Sequence, residues 1–161
     1  MAVAVLQTKQ IEGNILVEPF KKGVKLVAHF TKLPKGKHGF HIHRAGDLRG
    51  EGCQGFCEHY DRGKNHHGDG PLSKRERHTG DLGNIEMKKG ETECHRTYYL
   101  HGVKVHDLWG RSIIVHEDED DLGLGEFEDS KITGHSGQRI GCAIFGRVSC
   151  SSIRNTRKKS R

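Results

Sequence analysis

"HGFHIHRAGD", residues 38–47, places His41 and His43 on either side of a single isoleucine. Side chains two apart on a β-strand share a face. The two imidazoles therefore project together while Ile42 points the other way. Flanked by Phe40 and Ile42, the stretch reads as a strand with one apolar and one histidine-bearing face. Two readings follow from the stretch alone: a pair of surface histidines, or half of a metal site.

Working outward, seven other segments read as strands: 1–8, 12–20, 23–33, 79–88, 91–100, 110–117 and 139–149, with 39–46 completing the set. Each mixes β-branched residues with alternation and is bounded by glycine, lysine-glycine or aspartate. Helical periodicity is weak. Short strands closed by turn residues indicate an antiparallel sandwich or barrel. The 161 residues, with 22 glycines and three prolines, suit one such domain.

Two intervals break the rhythm. Residues 47–78 are rich in Gly, Asp, Arg and His, and 117–138 are acidic and glycine-rich. An irregular loop of that length inside a compact domain is expected to be functional or held by something. A metal is the obvious holder, because its binding free energy offsets the entropy of ordering the loop.

Histidine is the anomaly of the composition: thirteen in all, eight of them between residues 29 and 78. Within the first loop His59, His67 and His78 precede Asp81 with seven, ten and two residues intervening. Three imidazoles and a carboxylate make a closed tetrahedral set suited to Zn²⁺. Downstream, His116 ends the strand "RSIIVH" and adds a third imidazole to His41 and His43. If His59 is shared, one set has four nitrogens, which suits Cu(II), and the other keeps three nitrogens and an oxygen.

The five cysteines, Cys53, Cys57, Cys94, Cys142 and Cys150, are odd in number and irregular in spacing, unlike a zinc finger or a disulfide miniprotein. The formal charge is +6, but Arg154, Arg157, Lys158, Lys159 and Arg161 lie in the last eleven residues. Without those five, 22 basic residues face 21 acidic ones. The basic character is a tail, residues 151–161, expected to be solvated, with weak attraction to nucleic acid as the alternative. No run of 18 apolar residues predicts a membrane span, and the first residues lack the pattern of a secretory signal.

"GFHIH", "RHTGDLGNI", "IIVHEDEDDLG" and "TGHSGQRIGCAIFG" together resemble, in order and over nearly the whole chain, the copper/zinc superoxide dismutases. That resemblance implies an all-β, eight-stranded antiparallel Greek-key sandwich or barrel over residues 1–150, with a long metal-binding loop and an acidic electrostatic loop. It implies copper held by His41, His43, His59 and His116, and zinc held by His59, His67, His78 and Asp81, with His59 bridging. His66 stands beside His67 as a competitor. Asp120 matches the family's aspartate that links a copper histidine to a zinc histidine. Arg139 matches the arginine beside copper, and Cys53 and Cys142 match the intrasubunit disulfide. Cys57 is then a rival disulfide partner or a stray soft ligand, and Cys94 and Cys150 are free thiols.

The implied activity is conversion of superoxide to O2 and H2O2 by copper alternating between two oxidation states, with His59 and Arg139 as catalytic residues. The implied partners are superoxide, a second copy in a homodimer, near whose pairing segment Trp109 would sit, and a copper chaperone. A cytoplasmic location is expected; a virion or another compartment stays open. The alternative is a catalytically silent relative that binds metal or interferes with copper loading, marked by missing copper ligands or a missing arginine. A structural protein with a nucleic-acid tail is supported by residues 151–161 alone. The sequence departs from the family at Arg44, at an extra residue before Cys53, at "CEHYD", in a longer loop between His67 and His78, and at the rim, where Ile132 takes the place of a lysine and Lys131 lies one position earlier.

Overall fold

The computed structural model describes residues 1–49 and 51–149; Cys150 and the basic tail lie outside the described residues. Two antiparallel sheets face each other. The first has five strands in the order β6-β3-β2-β1-β9, and the second has four in the order β5-β4-β7-β8. In chain order the strands are β1 (Ala2–Gln7), β2 (Glu12–Phe20), β3 (Gly23–Lys32), β4 (Gly36–His43), β5 (Asp81–Met87), β6 (Cys94–His101), β7 (Ser112–His116), β8 (Arg139–Ile144) and β9 (Gly146–Arg147). Two single-turn α-helices, α1 (Val105–Leu108) and α2 (Ser130–Thr133), and a 3-10 turn at Gln54–Phe56 lie in the connections among the described residues. Among the described residues no helix is long and apolar enough to cross a membrane.

Alternation builds the core. Leu6, Ile15, Val17, Leu26, Ala28 and Phe30 from the first sheet meet Phe40, Ile42, Ile85, Met87, Ile113 and Val115 from the second, all buried. Phe30 and Phe40 meet edge-to-face across the sandwich with ring centroids 5.9 Å apart. The segment read as one strand over 139–149 divides into β8 and the two-residue β9, which joins the other sheet beside β1. Phe145, between them, turns into the core, so the chain changes sheets there.

Strands β4 and β7 are buried on both faces near the histidines. Phe40 pairs with Val115 and His41 with Ile114, so His41, His43, Ile114 and His116 share the outer face of the second sheet while Phe40, Ile42 and Val115 fill the core. The two long loops cover that outer face. Ile114, Phe56, Cys53, Cys142 and Ile144 form a second apolar cluster beneath them. The Cys53–Cys142 disulfide ties the first loop to β8 across 89 positions of sequence. Closing a loop of that size removes roughly 4–5 kcal/mol of unfolded-state entropy in the chain-entropy picture.

Candidate metal centre

Two β-bulges frame the outer face. The register of β4 against β5 slips between Gly39 and His41, bringing His41 opposite Asp81. The register of β7 against β8 slips between Val115 and His116, bringing His116 opposite Arg139. Bulges re-aim side chains, and here they turn residues from four strands toward one point. The first loop is then stitched to β4 by backbone bonds: Tyr60 N–H donates to Ile42 O, Ile42 N–H to Gly80 O and Gly80 N–H to Tyr60 O. His59 forms an isolated bridge with His43, so a loop histidine is fixed as firmly as a strand residue.

Each histidine of the first set commits one nitrogen to the protein and leaves the other bare. His41 Nε2 bonds Asp120 Oδ2 at 2.7 Å, His43 Nδ1 bonds Cys57 O at 2.9 Å, and His116 Nδ1 bonds Gly137 O at 3.2 Å. His41 Nδ1, His43 Nε2, His59 Nε2 and His116 Nε2 are buried with no hydrogen-bond partner. Ligand atoms of these four residues lie within 4.8 Å of one another. Four converging, unsatisfied nitrogens would each cost about 1–3 kcal/mol if left unpaired; a cation at their centre satisfies all of them. Burial holds His41 and His43 well below the ordinary histidine pKa and pushes His116 down to about 4. At neutral pH the rings are neutral, which is the ligating form.

The second set uses the other nitrogen of His59. His59 Nδ1 lies 2.8 Å from Asp81 Oδ1 and 3.3 Å from His67 Nδ1; His67 Nδ1 lies 3.1 Å from Asp81 Oδ2, and His78 Nδ1 lies 3.3 Å from Asp81 Oδ1. A tetrahedron with bonds of 2.0–2.2 Å has edges of about 3.3–3.6 Å, close to these separations. Burial works against charge on Asp81, yet the three histidines outweigh it and hold its carboxyl far below the usual range. Burial likewise opposes protonation of His67, but Asp120 and Asp81 outweigh it and raise the ring to about 9. These side chains favour positive charge between the two carboxylates, and a divalent cation meets the same demand. Both sets therefore fit a metal, one all nitrogen and one N3O. Of the adjacent candidates, His67 is turned inward and buried, and His66 is exposed.

Asp120 joins the sets. Its Oδ2 accepts from His41 Nε2 and its Oδ1 from His67 Nε2 at 2.8 Å. Asn84 on β5 fixes it reciprocally, donating to Asp120 O and accepting from Asp120 N–H. Gly134 closes over this bridge. A Cβ there would stand 2.0 Å from Asp120 Oδ1 and 2.4 Å from His67 Nε2. Neither Asn84 nor Gly134 stood out in the sequence, although both lie in the stretches that carried the resemblance.

Arg139 lines the cavity above His43, His59 and His116. Its Nη1 donates to Cys53 O and its Nη2 to Cys57 O, each at 2.7 Å. Cys57 O thus accepts from both His43 and Arg139. The residue presenting that carbonyl has φ 60° and ψ −152°, a region that glycine alone occupies without strain of about 1–3 kcal/mol. Cys57 is exposed and unbridged, and Cys94 is buried and unbridged. Cys57→Gly is expected to relieve that strain, less about 0.4–1 kcal/mol for the freer unfolded chain. The net of about 0–2.6 kcal/mol should raise thermal unfolding by up to about 10 °C; a fall would mean that Cys57 is not strained.

Comparison with known proteins gives the arrangement its context. The family described as copper/zinc superoxide dismutase (SODC) matches residues 11–145. The chain belongs to the copper/zinc superoxide dismutase family. It is 42% identical over 149 residues to a Superoxide dismutase [Cu-Zn] of Paramecium bursaria Chlorella virus 1, covering 90% of this chain and 77% of that one. It is 38% identical to Superoxide dismutase [Cu-Zn] 5 of Dictyostelium discoideum, covering 89% and 95%. An Extracellular superoxide dismutase [Cu-Zn] of Drosophila melanogaster is 41% identical, covering 85% and 76%. Among solved structures, that of the clock protein EA4 superposes with a TM-score of 0.83 at 34% identity, covering 91% and 94%. The Greek-key sandwich and the copper and zinc cofactors are those of this family.

Ile132 lines the mouth of the cavity together with Glu51, Glu58 and Asp129, and among the described lining residues Arg139 is the one permanent cation. Two of the acids are occupied elsewhere: Glu58 pairs with Arg44 at 2.7 Å and Asp129 with His135 at 2.7 Å. Arg44 therefore places a positive charge on a rim acid.

Proposed function

We propose that this chain disproportionates superoxide, with copper held by His41, His43, His59 and His116 and zinc by His59, His67, His78 and Asp81. The observation that carries the reading is His59, a single imidazole with one nitrogen in each of two buried donor sets. Copper, when bound, supplies the one-electron chemistry by which one superoxide is oxidised to O2 and a second, with two protons, is reduced to H2O2. The protein's part is to admit, position and protonate a small anion. Arg139 has two of its five N–H donors fixed by carbonyls, so the guanidinium is held while the others stay free for the anion. His59 Nε2, buried and without a hydrogen-bond partner, would be the atom that takes and gives a proton whenever it is released from copper, while Nδ1 would stay held beside Asp81 and His67. Asp120 keeps His41 and His67 in fixed orientation, as a ligating imidazole requires of its other nitrogen.

The same proposal takes residues 1–150 as one domain, a homodimer as the assembly and a chaperone as the source of copper, on the strength of family membership. A cytoplasmic location is favoured by the exposed free thiol of Cys57, while the Cys53–Cys142 disulfide favours an oxidising compartment. Superoxide decay measured on the copper- and zinc-loaded protein, with both metals counted in the same sample, tests the activity. Fast decay near one copper and one zinc per chain upholds it. Zinc bound without copper under excess copper sinks it in favour of a silent relative.

Arg139→Gln removes the one permanent cation among the described residues lining the mouth. The rate at low superoxide is expected to fall about tenfold, within the range that a focusing charge supplies, with metal content unchanged. The residual activity should also lose most of its dependence on ionic strength.

A further inference from the structure

A third cluster of metal-ligating side chains lies on the opposite side of the sandwich. On β3, Ala28 and Phe30 point into the core and His29 points out. Its partner across the β3–β6 ladder is His95. The two rings stack at 4.0 Å between centroids with an angle of 12°. Glu93, two residues before His95, brings Oε2 to 3.0 Å from His29 Nε2 and 3.2 Å from His95 Nε2. The three donor atoms lie within 4.8 Å of one another. None of the three residues belongs to the core, and β6 is an edge strand.

We propose that His29, Glu93 and His95 form a second, surface site for a divalent transition metal such as Zn²⁺ or Cu²⁺. Two imidazoles and one carboxylate are the donors borderline metals prefer. Three protein ligands leave at least one position open to water or to a ligand from outside, unlike the closed zinc set of the buried centre. Three features favour a cation over a simple hydrogen-bonded cluster. Both rings aim the same nitrogen at one carboxylate oxygen, so their dipoles lie parallel and repel. Strand pairing sets the rings face to face at a fixed separation, which lowers the entropy lost on chelation. The carboxylate supplies one negative charge, leaving a metal ion only partly neutralised and free to take a further anionic or neutral ligand.

The proposal is independent of what the buried cluster binds. The protein, loaded with copper and zinc, would be dialysed against Zn²⁺ at concentrations up to about 100 µM, and zinc per chain counted beside the double variant His29→Gln/His95→Gln. Both substituted side chains are outside the core, so circular dichroism and thermal unfolding should match the parent. The expected result is one zinc per chain more in the parent than in the double variant. Glu93→Gln should weaken the extra site at least about tenfold, since even indirect partners of a metal typically count for that much. Equal zinc in parent and double variant overturns the proposal, because any extra ions would then sit elsewhere.

Discussion

His59→Ala is expected to abolish dismutation, lowering the rate by at least ~100-fold, and to deplete both metals together. Its two ring nitrogens are committed to different donor sets, Nε2 among the bare nitrogens of His41, His43 and His116, and Nδ1 against Asp81 and His67. Loss of a residue that merely orients a ligand costs about 10–100-fold in affinity or activity, and loss of a shared ligand should cost no less on each side. The informative control is His78→Ala. His78 belongs to one set only, so its loss should lower zinc content and stability while copper and part of the activity remain. Metal analysis and superoxide decay on both variants separate the cases. Equal zinc and copper losses in the two would show that His59 does not join the sets.

The strands were legible because alternation is a local property. His41 and His43 share a face by the two-residue repeat alone, and every segment read as a strand overlaps one, with β4 beginning three residues earlier than read, at Gly36. The division of 139–149 was not legible, because Phe145 turns inward through packing against the other sheet. The loop ligands stand differently. The sequence favoured His67 over its neighbour His66, and the structure buries the His67 ring and exposes His66, with His67 N–H bonded to Lys131 O in the second loop. The carbonyl of Cys57, which orients both His43 and Arg139, leaves no mark in sequence, since any residue carries a carbonyl. The His29–Glu93–His95 cluster depends on the register between two strands 66 positions apart at the paired histidines, which composition and periodicity do not reveal.

Removal of both metals by chelation is expected to lower the unfolding temperature by at least about 8–16 °C. A ligand present at about 1,000 times its dissociation constant stabilises the folded state by about 4.1 kcal/mol. For a domain of this size each kcal/mol corresponds to about 2–4 °C. Two metals would roughly double the effect if their sites were independent, but the sharing of His59 couples them, so one site sets the lower bound. The loss should be concentrated in the two loops. Besides the backbone bonds near Tyr60 and Asp118, the stretches around residues 67–78 and 120–122 are held through Asp81, Asp120 and the histidines they touch: Asp81 Oδ2 accepts from Gly68 N–H and His78 N–H, and Asp120 Oδ1 from Leu122 N–H. The β-sandwich core does not run through the cluster, and the Cys53–Cys142 disulfide keeps one loop tethered without it. Protease cleavage after chelation should therefore appear first between residues 61 and 78 and near residues 122–128, with the strands protected. Returning zinc alone should restore part of the unfolding temperature, and copper the remainder. A shift under about 2 °C with both metals confirmed absent would mean that the loops are ordered by the protein alone, and that the energetic argument for the buried centre is wrong.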